Sequence, residues 1–296
     1  MNEILEILKG CCIDISILIN NGNPVTMSSL IQNKNNSGDN VKRLDIEAND
    51  LMINKLLNCK FIRTIASEEN DIIINTKFTN APYMICFDPI DGSSNIDVNI
   101  TVGTIFGLYQ YDNNKLISGH NIVMAGYCLY GGSTQLIIAK NNSVDMYSLI
   151  NNNFKLIKNN IKIKNNGNIY SINESNKYKY INPDINKTID KFIELNYTAR
   201  WVGSLVSDAH RTLIKGGFFT YPENTINTSG RIRLIYEGFP IAYIIETADG
   251  KSSNCCSNKS LLDLPFPINN IHMKTGILLS SSYEYNLYNS ILKFEK

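Results

Sequence analysis

Apolar residues recur at three- and four-residue spacings through Ile4, Leu5, Leu8, Cys11, Cys12, Ile15, Leu18 and Ile19. This single-faced stripe predicts an N-terminal helix ended at Asn21-Gly22. Residues 32–40, QNKNNSGDN, are polar and turn-rich and read as a mobile loop, after which helical periodicity resumes over 45–57. Short apolar runs at 61–65, 83–87, 104–109, 122–130 and 134–139 have strand length, the last two joined at Gly131-Gly132. An Asn-rich tract, 151–168, carries too many apolar residues to be disordered throughout and is the candidate boundary between two halves, 1–163 and 164–296. Beyond it, 204–215 reads as a helix stopped by Gly216-Gly217, and 231–236 as a strand. Pro240 suits the first turn of a helix over 240–247. Strands and helices in both halves, without strict alternation, predict a layered mixed α/β fold.

With 43% of its 296 residues hydrophobic, the chain has material for a substantial core. Lys and Arg number 28 against 27 Asp and Glu, with no long run of one sign, which argues against a nucleic-acid or membrane-surface partner. The start, MNEILEILKG, lacks the basic, long apolar and small-residue segments of a secretory signal, and no apolar run reaches the length of a membrane span. Seven cysteines, an odd number without any C-x-x-C spacing, predict a soluble protein in a reducing, cytoplasmic compartment. Three histidines and scattered cysteines make a nitrogen-and-sulfur zinc site hard to assemble, so any catalytic metal would be held by oxygen.

The segment CFDPIDGSSN, Cys86 to Asn95, directly follows an apolar strand. Asp88 and Asp91 offer hard ligands to a divalent cation, and backbone N–H groups around Gly92 and Ser93 can cradle a phosphate. Anion and metal would then meet at one point, as hydrolysis of a phosphate ester requires. An ordinary Asp-Pro and Asp-Gly turn is the plainer alternative. Glu68 and Glu69 stand at the exit of the strand predicted over 61–65, where open sheets place ligands; their mutual repulsion is one a cation would relieve, and a solvated acidic turn is the alternative. Asp39 and Asp45 flank Lys42-Arg43, either on a flexible loop able to close over a metal or at a salt-bridged helix start. Glu237 lies near the start of a predicted helix, as ligand or as cap. In the second half, Arg200, Lys215, Tyr221, Arg231 and Arg233 could hold a second phosphate, with Arg231 and Arg233 on one strand face; a solvated face is the alternative.

Taken together these segments resemble the class I fructose-1,6-bisphosphatase family. FDPIDGSSNIDVNITVGTIFGLY is nearly the family signature; VKRLDIEANDLMIN and ASEEN precede it, and AGYCLYGG, YSINE, VGSLVSDAHRTL, YPEN and RIRLIYE follow in family order. The resemblance implies an α-β-α-β-α sandwich with mixed sheets, the sugar phosphatase fold, and hydrolysis of the 1-phosphate of fructose 1,6-bisphosphate. It implies Mg2+, with Mn2+ as alternative, held by Glu68, Glu69, Asp88, Asp91 and Glu237 and by the backbone of Ile90. Asp39, Asp45 and Glu69 match the acids that position and deprotonate the attacking water, the first two on a dynamic loop. Gly92, Ser93 and Ser94 match the 1-phosphate site; Asn173, Tyr221, Arg231 and Arg233 match the grip on the 6-phosphate and sugar. Arg200 is expected to reach into a neighbouring subunit's site, in a homotetramer or homodimer.

Departures from the family pattern touch the substrate grip and regulation. Arg231 replaces the usual Lys, and Trp201 a phosphate-binding Tyr, while Asn176 stands where animal members carry a Tyr. The chain starts late relative to the AMP-holding first helix of the animal enzymes, and Pro82 and Gln110 replace a Lys and an Arg that contact the nucleotide, so weak or absent AMP inhibition is expected. Rival readings are a sedoheptulose-1,7-bisphosphatase, a broader sugar or inositol phosphatase, and a non-catalytic metabolite-sensing relative, the last disfavoured by the intact acids.

Overall fold

The computed structural model describes residues 1–32, 41–257 and 259–292. Its first sheet has eight strands in the order Asn153–Lys158, Ser143–Ile150, Thr134–Lys140, Ile122–Tyr130, Val102–Gln110, Tyr83–Asp91, Ile62–Ser67 and Ile74–Asn75. Its neighbours pair antiparallel except Ile62–Ser67 with Tyr83–Asp91, which run parallel. A second sheet orders Thr198–Ala199, Ile169–Ser171, Phe218–Tyr221, Ile277–Ser280 and Lys251–Ser253, with parallel and antiparallel pairs.

Side-chain alternation explains the layering. In Tyr83–Asp91, Ile85 and Phe87 face one core while Met84 and Cys86 face another, and Phe106 and Leu108 divide likewise from Ile105 and Tyr109. Both faces being covered, these strands read as continuous apolar runs. One face packs under the helices Asn2–Asn21 and Arg43–Leu56, whose predicted stripe at Ile4, Leu5, Leu8, Cys11, Cys12 and Ile15 is buried. The other meets the helices Leu205–Lys215 and Phe239–Thr247, which in turn touch Phe219, Ile277 and Leu279 of the second sheet. Its far face, through Tyr170, Phe218 and Leu278, packs on the helices Asp184–Glu194 and Ser282–Ile291. The result is the α-β-α-β-α sandwich. Among the described residues no helix is long and apolar enough to cross a membrane.

Two expectations need revision, the strand over 231–236 and the loop position of Asp45, and the Asn-rich tract takes a definite form. The strand expected over 231–236 stops at Arg233, and Leu234–Gly238 forms a π-helical turn leading into Phe239–Thr247. The Asn-rich tract opens with an Asn151-Asn152 hairpin turn, both residues at positive φ, as are Asn141-Asn142 one hairpin earlier; Asn accepts this backbone readily. Asp45 belongs to the first turn of the helix Arg43–Leu56 and accepts a hydrogen bond from the Lys42 N–H (2.9 Å), so it is a capping acid and not a loop residue. Asp39 lies outside the described residues.

Candidate active site

Asp88 and Asp91 are carried on the last residues of Tyr83–Asp91, where pairing with Val102–Gln110 slips: Asp88 opposes Ile105 and Asp91 opposes Gly103. Pro89 and Ile90 therefore face the single Thr104, a bulge that re-aims both carboxylates. The Ile90 N–H donates to Asp88 Oδ1 (2.9 Å). Glu68 and Glu69 follow the adjacent parallel strand, where the Glu68 N–H donates to the Phe87 carbonyl (3.2 Å). Glu237 arrives from the second half of the chain on the π-helical turn, its Oε2 accepting the Arg233 N–H (2.5 Å). That wider turn is what brings Glu237 to the other acids, and such turns recur at functional sites. One carboxylate oxygen from each of Asp88, Asp91 and Glu237 lies within 4.8 Å of the other two.

Burial dominates the electrostatics. It pushes the Glu68 and Asp88 carboxyls well above the usual range, and repulsion from neighbouring acids, Asp88 for Glu68 and Glu237 for Asp88, adds to it. Asp91 is pushed up to about 6 by burial, against the pull of the Val206 N–H (2.8 Å) and the Ser204 hydroxyl (2.9 Å), which donate to its Oδ2. Glu237 rises to about 7, again from burial and against the Arg233 charge. Arg233 Nη2 lies 2.9 Å from Glu68 Oε1, both side chains about nine-tenths buried. Four buried acids thus share few cations. A hard, oxygen-ligated divalent ion fits this donor set, because it would neutralise charge that the protein itself leaves concentrated.

Beyond Asp91 the chain turns at Gly92, whose φ of 76° is left-handed and whose hydrogen stands where a Cβ would meet Ser204 Cβ at 2.9 Å. The 3₁₀ turn Ser93–Val98 follows, with Lys42 Nζ donating to the Ser93 carbonyl (2.8 Å). A cavity of about 660 Å³ is lined by Asp45, Glu68, Glu69, Asp88, Ile90, Asp91, Gly92, Ser93, Ser94 and Glu237. Asn173, Trp201, Tyr221, Arg231 and Arg233 line the same cavity. Trp201 stacks on Phe219 and Tyr221, at centroid separations of 6.2 and 5.7 Å. Burial raises Asp45 to about 6, opposed by its hydrogen bond from Lys42.

Two candidates fall outside this cavity. Arg200 is exposed, with Nη1 donating to the Ala199 carbonyl (3.0 Å). Lys215 lines a separate hollow of about 520 Å³ with His210 and Arg211, because it lies in the last turn of its helix, away from the end that meets Asp91. Sequence reasoning missed Ser204, whose only local signal was its place at the start of a predicted helix, and Asp208. Asp208 is buried and accepts from the Val202 and Gly203 N–H groups (3.1 and 3.0 Å) and the Ser171 hydroxyl (3.0 Å), tying down the segment that follows Trp201.

Comparison with known proteins places the chain in a family. Residues 1–159 match the family described as Fructose-1-6-bisphosphatase, N-terminal domain, and 163–293 the corresponding C-terminal domain. Fructose-1,6-bisphosphatase 1 of Rattus norvegicus is 39% identical over 313 residues, covering 99% of this chain and 85% of its own length. The class 1 enzyme of Persephonella marina is 41% identical over 257 residues, covering 84% and 79%. The crystal structure of Leishmania major fructose-1,6-bisphosphatase in its holo form superposes with a TM-score of 0.90 at 32% identity, over 97% of this chain and 92% of that one.

Proposed function

The chain belongs to the class I fructose-1,6-bisphosphatase family, and from that premise we propose that the cavity between its sheets hydrolyses the 1-phosphate of fructose 1,6-bisphosphate, giving fructose 6-phosphate and phosphate. The observation that carries this reading is one cavity lined both by buried, mutually repelling carboxylates and by Arg231 and Arg233. That polarity suits a substrate with two phosphates, one reacting and one gripped.

Glu68, Asp88, Asp91 and Glu237, with the Ile90 carbonyl and Glu69 at the edge, would hold Mg2+, or Mn2+ in its place. When bound, such an ion supplies Lewis-acid polarisation of the phosphoryl group. The N–H groups of Gly92, Ser93 and Ser94 orient the 1-phosphate, and the left-handed backbone at Gly92 turns them toward it. Asp45 and Glu69, with Asp39, orient the attacking water and accept its proton. The upward shift of Asp45 to about 6 suits a base working near neutral pH. Asn173, Tyr221, Arg231 and Arg233 fix the 6-phosphate and sugar, the guanidinium groups by paired hydrogen bonds. The exposed position of Arg200 is compatible with a role in a neighbouring subunit's site, as in a homotetramer or homodimer. A boundary near residue 163, after the last strand of the first sheet, and a cytoplasmic location complete the proposal.

The test is magnesium-dependent phosphate release from fructose 1,6-bisphosphate beside sedoheptulose 1,7-bisphosphate and inositol 1-phosphate, with Asp91→Ala as control. Selective release from the fructose ester, lost in the variant, is expected. Preference for another ester would reassign the substrate, and no turnover of any would favour a metabolite-sensing role.

A further inference from the structure

Both backbone segments that deliver the carboxylates depart from regular pairing. At the bulge, Pro89 and Ile90 oppose Thr104 alone, and the ladder is broken between Asp88 and Asp91. The Thr104 hydroxyl donates to the Pro89 carbonyl (2.7 Å). Its one proton being so used, the Tyr130 hydroxyl must donate to Thr104 Oγ1 (2.8 Å). At the π-helical turn, the Phe239 N–H is taken by the Leu234 carbonyl, and the next position is Pro240, which has no N–H for the Ile235 carbonyl. The Tyr109 hydroxyl donates to that carbonyl instead (2.6 Å). Thr104 and Tyr109 are fully buried and belong to the same central strand, Val102–Gln110.

We propose that Thr104 and Tyr109 are positioning residues of the carboxylate cluster: one strand supplies a buried hydroxyl to each of the two irregular segments, and so sets where Asp88 and Asp91 stand relative to Glu237. Neither side chain lines the cavity, so both act through the backbone they hold. Three carboxylates on two independent segments, within 4.8 Å of one another, resist their own repulsion only if both segments are pinned. This inference rests on the metal-dependent reading given above.

Thr104→Val and Tyr109→Phe each delete one hydroxyl while keeping shape; Tyr109→Phe retains the ring packing on Phe266 and Phe239, at centroid distances of 5.0 and 6.5 Å. On the full chain, Mn2+ binding by calorimetry should weaken about ten- to a hundredfold in each. The turnover number should fall while KM for fructose 1,6-bisphosphate stays within about twofold. Thr104→Ser, which restores a hydroxyl, should recover both. A merely structural role would lower the melting temperature in chelator with wild-type metal affinity and turnover, and that result would overturn the proposal. If Thr104→Val does not fold, Tyr109→Phe decides alone. A wild-type chain that binds no Mn2+ would sink the phosphatase reading itself, and the positioning role with it.

Discussion

Replacing Asp88 with Asn removes one ionisable carboxyl from the buried cluster while keeping side-chain shape and an oxygen for the Ile90 N–H (2.9 Å). Oxygen atoms of Asp88, Asp91 and Glu237 lie within 4.8 Å of one another, and at an effective dielectric of about 20 two full charges at that distance repel by about 3.5 kcal/mol. Proton uptake by the metal-free cluster limits the relief, because burial raises Asp88 itself well above its ordinary value, Glu237 to about 7 and Asp91 to about 6. About 1–3 kcal/mol remains at neutral pH, a rise of about 2–6 °C in melting temperature for a chain of this size. In EDTA, Asp88→Asn should therefore melt above the wild type. In saturating Mg2+ the order should reverse, since ligand at about a thousandfold over its Kd stabilises by about 4.1 kcal/mol and the variant loses that gain. The pH dependence has a definite sign. Asp91 and Glu237 have folded values above their ordinary 3.8 and 4.5, so the folded chain holds more protons, and their contribution to metal-free stability is full below about pH 4 and lost as pH rises through 7. The increment from Mg2+ should grow over the same range. Differential scanning calorimetry at pH 5 and 7.5, in EDTA and in Mg2+, measures all of this. A variant that melts below the wild type in EDTA, or a wild type indifferent to Mg2+, would refute the reasoning.

Gly92→Ala should lower kcat/KM about ten- to a hundredfold, because the left-handed φ of 76° and the 2.9 Å approach to Ser204 Cβ force the Asp91-Gly92 turn to shift; unchanged steady-state kinetics would count against the cradle. Arg233→Met should raise KM about tenfold or more and lower the metal-free melting temperature, since Glu68, 2.9 Å away, loses a buried partner; kinetics and thermal melts together check it. His210, whose Nδ1 meets the Tyr127 hydroxyl at 2.9 Å, is pushed by burial down to about 4. Its folded value lies below the ordinary 6.5, so its contribution is full above pH 6.5 and lost as pH falls toward 4. The stability gap between wild type and His210→Asn, read by urea titration, should shrink by about 2–3 kcal/mol from pH 7 to 4.5, and a constant gap would exclude the assignment.

The helices and strands of the first half were legible because burial leaves a periodic trace, whereas the five-layer order came from the family resemblance. The stripe from Ile4 to Ile15 marked a helix with one covered face, and the apolar run of 122–130 marked a strand, with the observed bounds Ile122–Tyr130. Asp88, Asp91 and Glu68 could be picked out because each stands in or just past the last residues of its strand, so chain order alone puts them at one edge of a sheet. The second sheet left no such trace. Strands as short as Thr198–Ala199 and Ile169–Ser171 span less than two periods of alternation, too little to stand above chance.

What periodicity cannot carry is partnership. The run 231–236 alternates like a strand, yet at Leu234 the backbone widens into a π-helical turn, because Pro240 cannot donate and Tyr109, from a distant strand, takes the Ile235 carbonyl. That choice decides where Glu237 points. Ser204 and Val206 reach Asp91 across more than a hundred residues, and Lys215, eleven positions after Ser204, faces another hollow because the helix between them carries it away. Local sequence dictates which face of an element is buried, through side-chain spacing and solvation. Which charged groups then meet is settled when the layers stack, because only packing supplies the desolvation and long-range hydrogen bonds that hold like charges together.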